Sequence, residues 1–255
     1  MLKWTQFPRR LLVVCIVLSS PVGFNAAWAA SDKDPLEPVN RAVFVFNDAI
    51  DQAVLKPVSE VYTQFTPDPF ERGVRNFFGN IGEVRNATNN LFQGKWKATL
   101  SSSGRFMINT TVGIGGLFDV ATKIGLPVER EDFGQTLGRW GVPTGPYLVV
   151  PIVGPSTLRD GSGTLADVWL SPLQYTELNV LERGGLAALD GIQTRADLLA
   201  SEGLLSGDKY LVIREAYLSK REYDVQDGQS LSDSFIDSTD RKEDVDEEGF
   251  VDESF

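Results

Sequence analysis

Pro69-Phe-Glu-Arg-Gly-Val-Arg-Asn-Phe-Phe-Gly-Asn-Ile-Gly-Glu-Val84 is the stretch that decides the fold class. Phe70, Val74, Phe77, Phe78, Ile81 and Val84 recur at helical spacing, so they share one face of an α-helix. Pro69 suits a first helical turn, where its missing N–H is an orphan position in any case. Upstream, Val39, Val43, Phe46 and Ile50 stand 4, 3 and 4 residues apart behind Pro35 and Pro38. Downstream, Leu178, Leu181, Leu189, Ile192, Ala196 and Leu199 mark a longer amphipathic stretch, and Leu211, Arg214, Ala216 and Tyr217 a last one. The ordered part is therefore expected to be mainly α, a single domain over residues 30–223.

Two segments in the middle break the helical pattern. Residues 106–127 are apolar, carry only Asp119 and Lys123 as charges, and are interrupted by Gly113, Gly115 and Gly116. Those glycines argue against a continuous spanning helix and for close packing or a bend. Residues 141–155 hold too many prolines for a helix and read as an extended hairpin or a loop. Apolar stretches of this kind are usually buried core. Two of them in one exported chain point also to lipid contact.

The ends have their own signatures. Lys3, Arg9 and Arg10 precede the apolar run from Leu11 to Leu18, and Ala27-Trp28-Ala29 forms a small-x-small site, so residues 1–29 read as a cleaved secretory signal. Cys15, the single cysteine, falls inside that run behind Val13 and Val14, a poor context for lipidation. At the other end, residues 224–255 hold 12 acidic and two basic residues. That composition reads as an acidic, disordered tail and leaves the body nearly neutral. Bulk charge therefore gives no affinity for nucleic acid, and membrane affinity has to come from apolar surface.

Composition also narrows the chemistry. With no histidine, the chain lacks the commonest general base, the commonest metal ligand and any Ser-His-acid triad. Thiol catalysis would need a cysteine beyond the signal. Ser162 in Asp160-Gly-Ser-Gly163 lacks the glycine two residues before it that a nucleophile elbow requires. Gly113-Ile-Gly-Gly116 has Phe118 where a dinucleotide loop needs its third glycine. Phe255 occupies the position where a calcium loop beginning at Asp244 would need its bidentate glutamate. No cofactor or metal is expected. Arg105, Arg139, Arg159, Arg195 and Arg214 sit beside or among the apolar segments, where a guanidinium could grip a phosphodiester. The plainer reading pairs Arg159 with Asp160, Arg195 with Asp197 or Asp190, and Arg214 with Glu215.

Taken in order, several motifs resemble one family. They are Asp34-Pro-Leu-Glu-Pro-Val-Asn-Arg41, Phe44-Val-Phe-Asn47, Leu55-Lys-Pro57, Asn76-Phe-Phe-Gly-Asn80, Asn89-Asn-Leu-Phe-Gln-Gly94, Arg105 through Asp119, Phe133 through Gly141, Gly145-Pro-Tyr147, Thr157-Leu-Arg-Asp160 and Val212 through Tyr217. The chain resembles the MlaA/VacJ family over about Asp34 to Tyr223. The resemblance implies a helical ring in the inner leaflet of the outer membrane, with an amphipathic passage through its middle. It implies removal of mislocalised phospholipid from the outer leaflet, association with a trimeric porin, delivery to a soluble periplasmic lipid carrier, and no catalysis. Family members are typically lipid-anchored, and the context of Cys15 departs from that pattern.

Combining both readings, Leu117, Phe118, Tyr147, Leu148, Val149, Val150 and Ile152 are candidates to line or gate a lipid passage, with residues 112–124 in contact with lipid. Arg139, Arg159, Arg195 and Arg214 are candidates for the headgroup. A structural porin-associated protein without a passage is the competing reading. A carboxylate-based lipid hydrolase ranks behind both.

Overall fold

A computed structural model describes residues 34–204 and 207–228. The expected signal, Cys15 and the acidic tail beyond Gly228 lie outside the described residues. Helix α1 (Glu37–Ile50) runs through a π-helical turn (Asp51–Leu55) directly into α2 (Lys56–Phe65). A two-residue break leads to α3 (Asp68–Phe92), whose first turn carries Pro69, and α4 (Trp96–Thr111) packs back along it. The short helices α5 (Val120–Lys123) and α6 (Phe133–Arg139) are capped by Asp119 and Asp132, whose carboxylates accept from backbone N–H groups of Thr122 and Gln135.

The proline-rich segment is a hairpin: β1 (Tyr147–Val150) pairs antiparallel with β2 (Gly154–Thr157), Val149 opposite Pro155. A two-stranded ladder has only edges, so prolines fit there without costing an internal hydrogen bond. Helix α7 (Leu158–Leu170) follows at once, then α8 (Val180–Leu198), which opens on an Asn179–Glu182 capping box, and α9 (Lys209–Val225). Ordered structure thus passes the expected boundary at Tyr223. The turn after α9 is pinned because Asp227 accepts from Lys95 and pairs with Arg139 at 3.3 Å.

The glycines of the middle segment do both things expected of them. At Gly116, φ is +92° and a Cβ would come within 2.7 Å of Asn80, so only glycine lets the turn after α4 lie against α3. At Gly113, a Cβ would meet the Phe118 carbonyl at 2.2 Å.

The polarity of the packing is inverted. Among the described residues other than glycine, the buried positions comprise 21 polar or charged residues and only 5 apolar ones, while 34 large apolar side chains are exposed. Helix α3 shows the inversion most clearly. Its buried residues are Asn80, Glu83, Asn86, Asn89 and Asn90, whereas Phe70 is 70% exposed and the other members of its apolar stripe are only partly covered. The expected helix is there, but the face predicted to be core looks outward in good part. Apolar surface on this scale is costly against water and costs nothing against hydrocarbon. No described helix is long and apolar enough to cross a membrane.

Candidate functional site

The polar interior is built from asparagines and one arginine that replace missing backbone partners. Arg105 on α4 is buried and donates to Glu83 at 2.6 Å, Thr122 at 2.9 Å, the Leu126 carbonyl at 2.9 Å and Asp119 at 3.1–3.2 Å. Asn109 donates to Asp119 and accepts from the Ala121 N–H. Burial raises the Asp119 carboxyl, but the hydrogen bonds from Thr122, Asn109 and Arg105 outweigh it and hold it at about 2. Nearly two turns further along α3, Asn89 donates to Asp167 at 3.0 Å and accepts from Thr136 at 2.9 Å, while Asp167 also accepts the Phe133 N–H. Asn90 donates to the Glu129 carbonyl, and the Glu131 N–H donates to Asn86. Residues 126–132, which have no regular structure, and the start of α6 are thereby tied to α3. Buried backbone groups there must find partners, and side-chain amides supply them.

A second junction joins the C-terminal part of the chain. Arg221 on α9 bridges Asp132, at 2.6 and 3.0 Å, and Asp160, at 2.9 and 3.0 Å. Arg159 and the Tyr217 hydroxyl also donate to Asp160. Burial pushes both carboxyls up, and the guanidinium of Arg221 more than reverses it, leaving both below the usual range. A bidentate guanidinium holding two carboxylates is a clamp between α6, α7 and α9.

The hairpin is attached by a different device. Asn40 on α1 donates to the Tyr147 carbonyl at 3.0 Å and accepts from the Val149 N–H at 2.9 Å, and two helical turns later Asn47 repeats this with Val150 at 3.0 Å and Ile152 at 2.8 Å. Each amide copies the donor and acceptor of a neighbouring strand. The result splits the seven candidate passage residues. Tyr147 (1% exposed) and Val149 (6%) face inward onto Phe44, Tyr210 and Tyr217, and they are core rather than lining. Leu148 and Val150, on the alternate face, are half-buried, and Ile152 at the tip is 79% exposed with φ +69°. Strand alternation is the reason, since every second side chain must point the same way. Leu117 and Phe118 are exposed on the turn after α4, beside exposed Val112 and Ile114, with Asn76 donating to the Leu117 carbonyl. They are not grouped with the hairpin core.

The four headgroup candidates are all paired with carboxylates. Arg159 binds Asp160 and Thr144, and Arg214 binds Glu215, Asp34 and Glu37. Arg195 reaches neither Asp190 nor Asp197 but grips Asp51 in the π turn at 2.7 and 3.0 Å, with Glu202 at 3.4 Å. Arg139 pairs with Asp227 and remains half exposed on the wall of a cavity of about 910 Å³. Arg159, Arg195 and Arg214 therefore act as struts. Arg221, Asn40, Asn47 and the α3 asparagines were missed. For the α3 residues alone the sequence carries a signal: Asn76, Asn80, Glu83, Asn86, Asn90 and Gln93 repeat at intervals of three and four, a polar stripe with core spacing.

The match with the MlaA lipoprotein family model spans residues 32–224, essentially the whole described body. The chain belongs to the MlaA lipoprotein family. An uncharacterised protein of Rickettsia conorii is 41% identical over 208 residues, covering 80% of this chain and 82% of its own length. The intermembrane phospholipid transport system lipoprotein MlaA of Escherichia coli is 37% identical over 230 residues, 86% of this chain and 91% of that one. A solved structure described as the structural basis for maintenance of bacterial outer membrane lipid asymmetry superposes with a TM-score of 0.68 at 37% identity, covering 75% of this chain and 98% of its own. In this member of the family, the match over residues 32–224 and the inverted packing fall on the same stretch.

Proposed function

We propose that this chain is an outer-membrane component of phospholipid transport that takes misplaced phospholipid from the outer leaflet and passes it toward the periplasm, so keeping the two leaflets different. The observation that carries the reading is the inverted polarity: a polar, internally bonded interior inside an apolar exterior, in a family whose named members serve intermembrane phospholipid transport. Moving a phospholipid between leaflets is slow because its charged head must cross hydrocarbon, and a polar route inside a protein seated in lipid removes that cost. The chain's part is binding and guidance, without a chemical step. We assign it to the periplasmic side of the outer membrane, beside a trimeric porin, with a soluble carrier receiving the lipid. Residues 112–118 and the hairpin tip at Ile152 are the proposed lipid-contacting surface, and residues 1–29 and 229–255 the proposed signal and acidic tail.

The test is whether phospholipid accessible at the cell surface rises when the chain is removed and falls when it is restored. Purified protein should retain phospholipid in mild detergent. Unchanged surface lipid, together with purified protein carrying none, overturns the reading and leaves the porin-associated structural role.

A further inference from the structure

Apart from the hairpin and the polar interior, a cleft of about 910 Å³ opens between the start of α4, residues 128–139 and the end of α9. Its floor is committed: buried Glu131 accepts from Lys95 at 2.7 Å and from Gln93 at 2.8 Å, and Asp227 takes Lys95 and Arg139. Its walls are not. Lys97 and Arg130 are exposed, and among the described residues neither makes an ion pair or a side-chain hydrogen bond. The carboxylate of Glu129 on the same wall is likewise without an ion pair there. Trp96, 67% exposed, and Tyr223, 52% exposed, also line the cleft.

Two uncommitted cations, a carboxylate and two amphipathic rings in one cleft select for a ligand that carries both charges. A phosphate suits Lys97 and Arg130, the guanidinium offering a planar fork to its oxygens. An ammonium suits Glu129 and the faces of the two rings. Trp and Tyr favour the headgroup level of a bilayer, where one side is apolar and the other wet. The volume lies in the range of small-molecule sites and exceeds what a bare phosphate needs.

We propose that this cleft binds the zwitterionic head of a phospholipid, phosphate on Lys97 and Arg130 and amine toward Glu129, Trp96 and Tyr223. The site is distinct from the hairpin and opens on the edge of the polar interior at Glu131, and the proposal rests on the lipid-transport reading. The shared chemistry is phosphate, so bare phosphate and a lipid head have to be separated.

Full-length protein in detergent is titrated with dihexanoyl phosphatidylethanolamine, dihexanoyl phosphatidic acid and inorganic phosphate, following tryptophan fluorescence, with a Trp96→Phe variant to assign the signal. The ethanolamine lipid should bind at least tenfold more tightly than either other probe. Its affinity should fall at least tenfold in the Lys97→Gln/Arg130→Gln double variant, whose melting temperature should match the parent because both side chains are exposed and unpaired. Inorganic phosphate binding as well as the lipid would make this a bare anion site and overturn the proposal. Unchanged binding in the double variant would overturn it too. A double variant that loses lipid asymmetry in cells while still binding the probe would make the cleft a protein-docking surface, with the same consequence. Native mass spectrometry keeps the two readings apart. Lipid retained equally by parent and double variant sinks only the cleft, whereas no lipid on the parent sinks the transport reading.

Discussion

The α3–α4 seam and the hairpin core are both interior, yet they are made of opposite materials. The seam is Asn80, Glu83, Asn86, Asn89, Arg105 and Asn109, bonded side chain to side chain. The hairpin core is Tyr147, Val149 and Tyr210 with Val43 and Phe44 against them, held largely by ring contacts such as Tyr147–Tyr210 at 6.2 Å. Only the small second region obeys the usual rule of apolar burial. With water outside, the hydrophobic effect would drive the exposed phenylalanines, leucines and valines inward. With hydrocarbon outside, that drive disappears, and the polar groups are the ones that must find each other. The contrast teaches that most of this chain's interior is selected by polar satisfaction.

The strongest way to break the contrast is at Arg105. Arg105→Met should leave Glu83 buried without its cation and cost about 3–5 kcal/mol, read as a large drop in melting temperature in detergent. A loss under 1 kcal/mol would mean the seam is solvated and the two regions are not different in kind. Next comes the hairpin. Val149→Asp puts an unpartnered carboxyl among aromatic rings and should cost roughly 2–4 kcal/mol, whereas Ile152→Asp at the exposed tip should stay within about 0.5 kcal/mol. Equal losses at both positions would show that strand alternation does not set their burial.

Acid separates the regions further. With its folded-state carboxyl at about 2, below the usual 3.8, Asp119 contributes stability that is complete above about pH 4 and lost as pH falls toward 2. Asp132 and Asp160 act in the same direction, while Glu131 and Asp167, raised by burial, act in the opposite one. The difference between parent and Asp119→Asn unfolding curves should therefore shrink between pH 4 and 2. A constant difference would mean that the hydrogen bonds from Thr122, Asn109 and Arg105 to Asp119 are not made in solution. The smallest effect is expected at Tyr147, whose buried hydroxyl has no hydrogen-bond partner among the described residues. Tyr147→Phe should be neutral or stabilising by about 1 kcal/mol. A loss would reveal a buried water or another partner there.

Much of the fold was legible. The apolar stripe from Phe70 to Val84 located α3, the prolines of residues 141–155 marked the hairpin, and Gly113 and Gly116 marked the bend. The direction of burial was not, because periodicity reports that two faces of a helix differ and is silent about which one meets the solvent. The candidate site was less legible for a different reason. Arg159–Asp160 and Arg214–Glu215 are neighbours in sequence and were found. Arg195–Asp51 and Arg221–Asp132 lie 144 and 89 residues apart, distances at which one sequence carries no pairing signal. Within the hairpin, the same alternation that makes a strand placed Tyr147 and Val149 inside, although reading the whole segment as lining had treated its two faces as one.

The π turn at residues 51–55 sets the rotational phase of the first long helix. Each α-helical residue advances about 100°, so Asn47 and Ser59, 12 positions apart, would point about 120° away from each other on an unbroken α-helix. One residue absorbed by the wider turn reduces that offset to about 20°. Asn47 can then hold the hairpin while Ser59 donates to the Ile192 carbonyl and Tyr62 to Gln193 on α8. Deleting a single residue from 51–55 would leave a sound helix and an unbroken reading of both its docking motifs, yet would rotate one relative to the other by about a quarter turn. Beyond the Asp51 carboxylate that Arg195 grips, length is the quantity such a joint has to keep, and the shortest possible deletion is the disabling one.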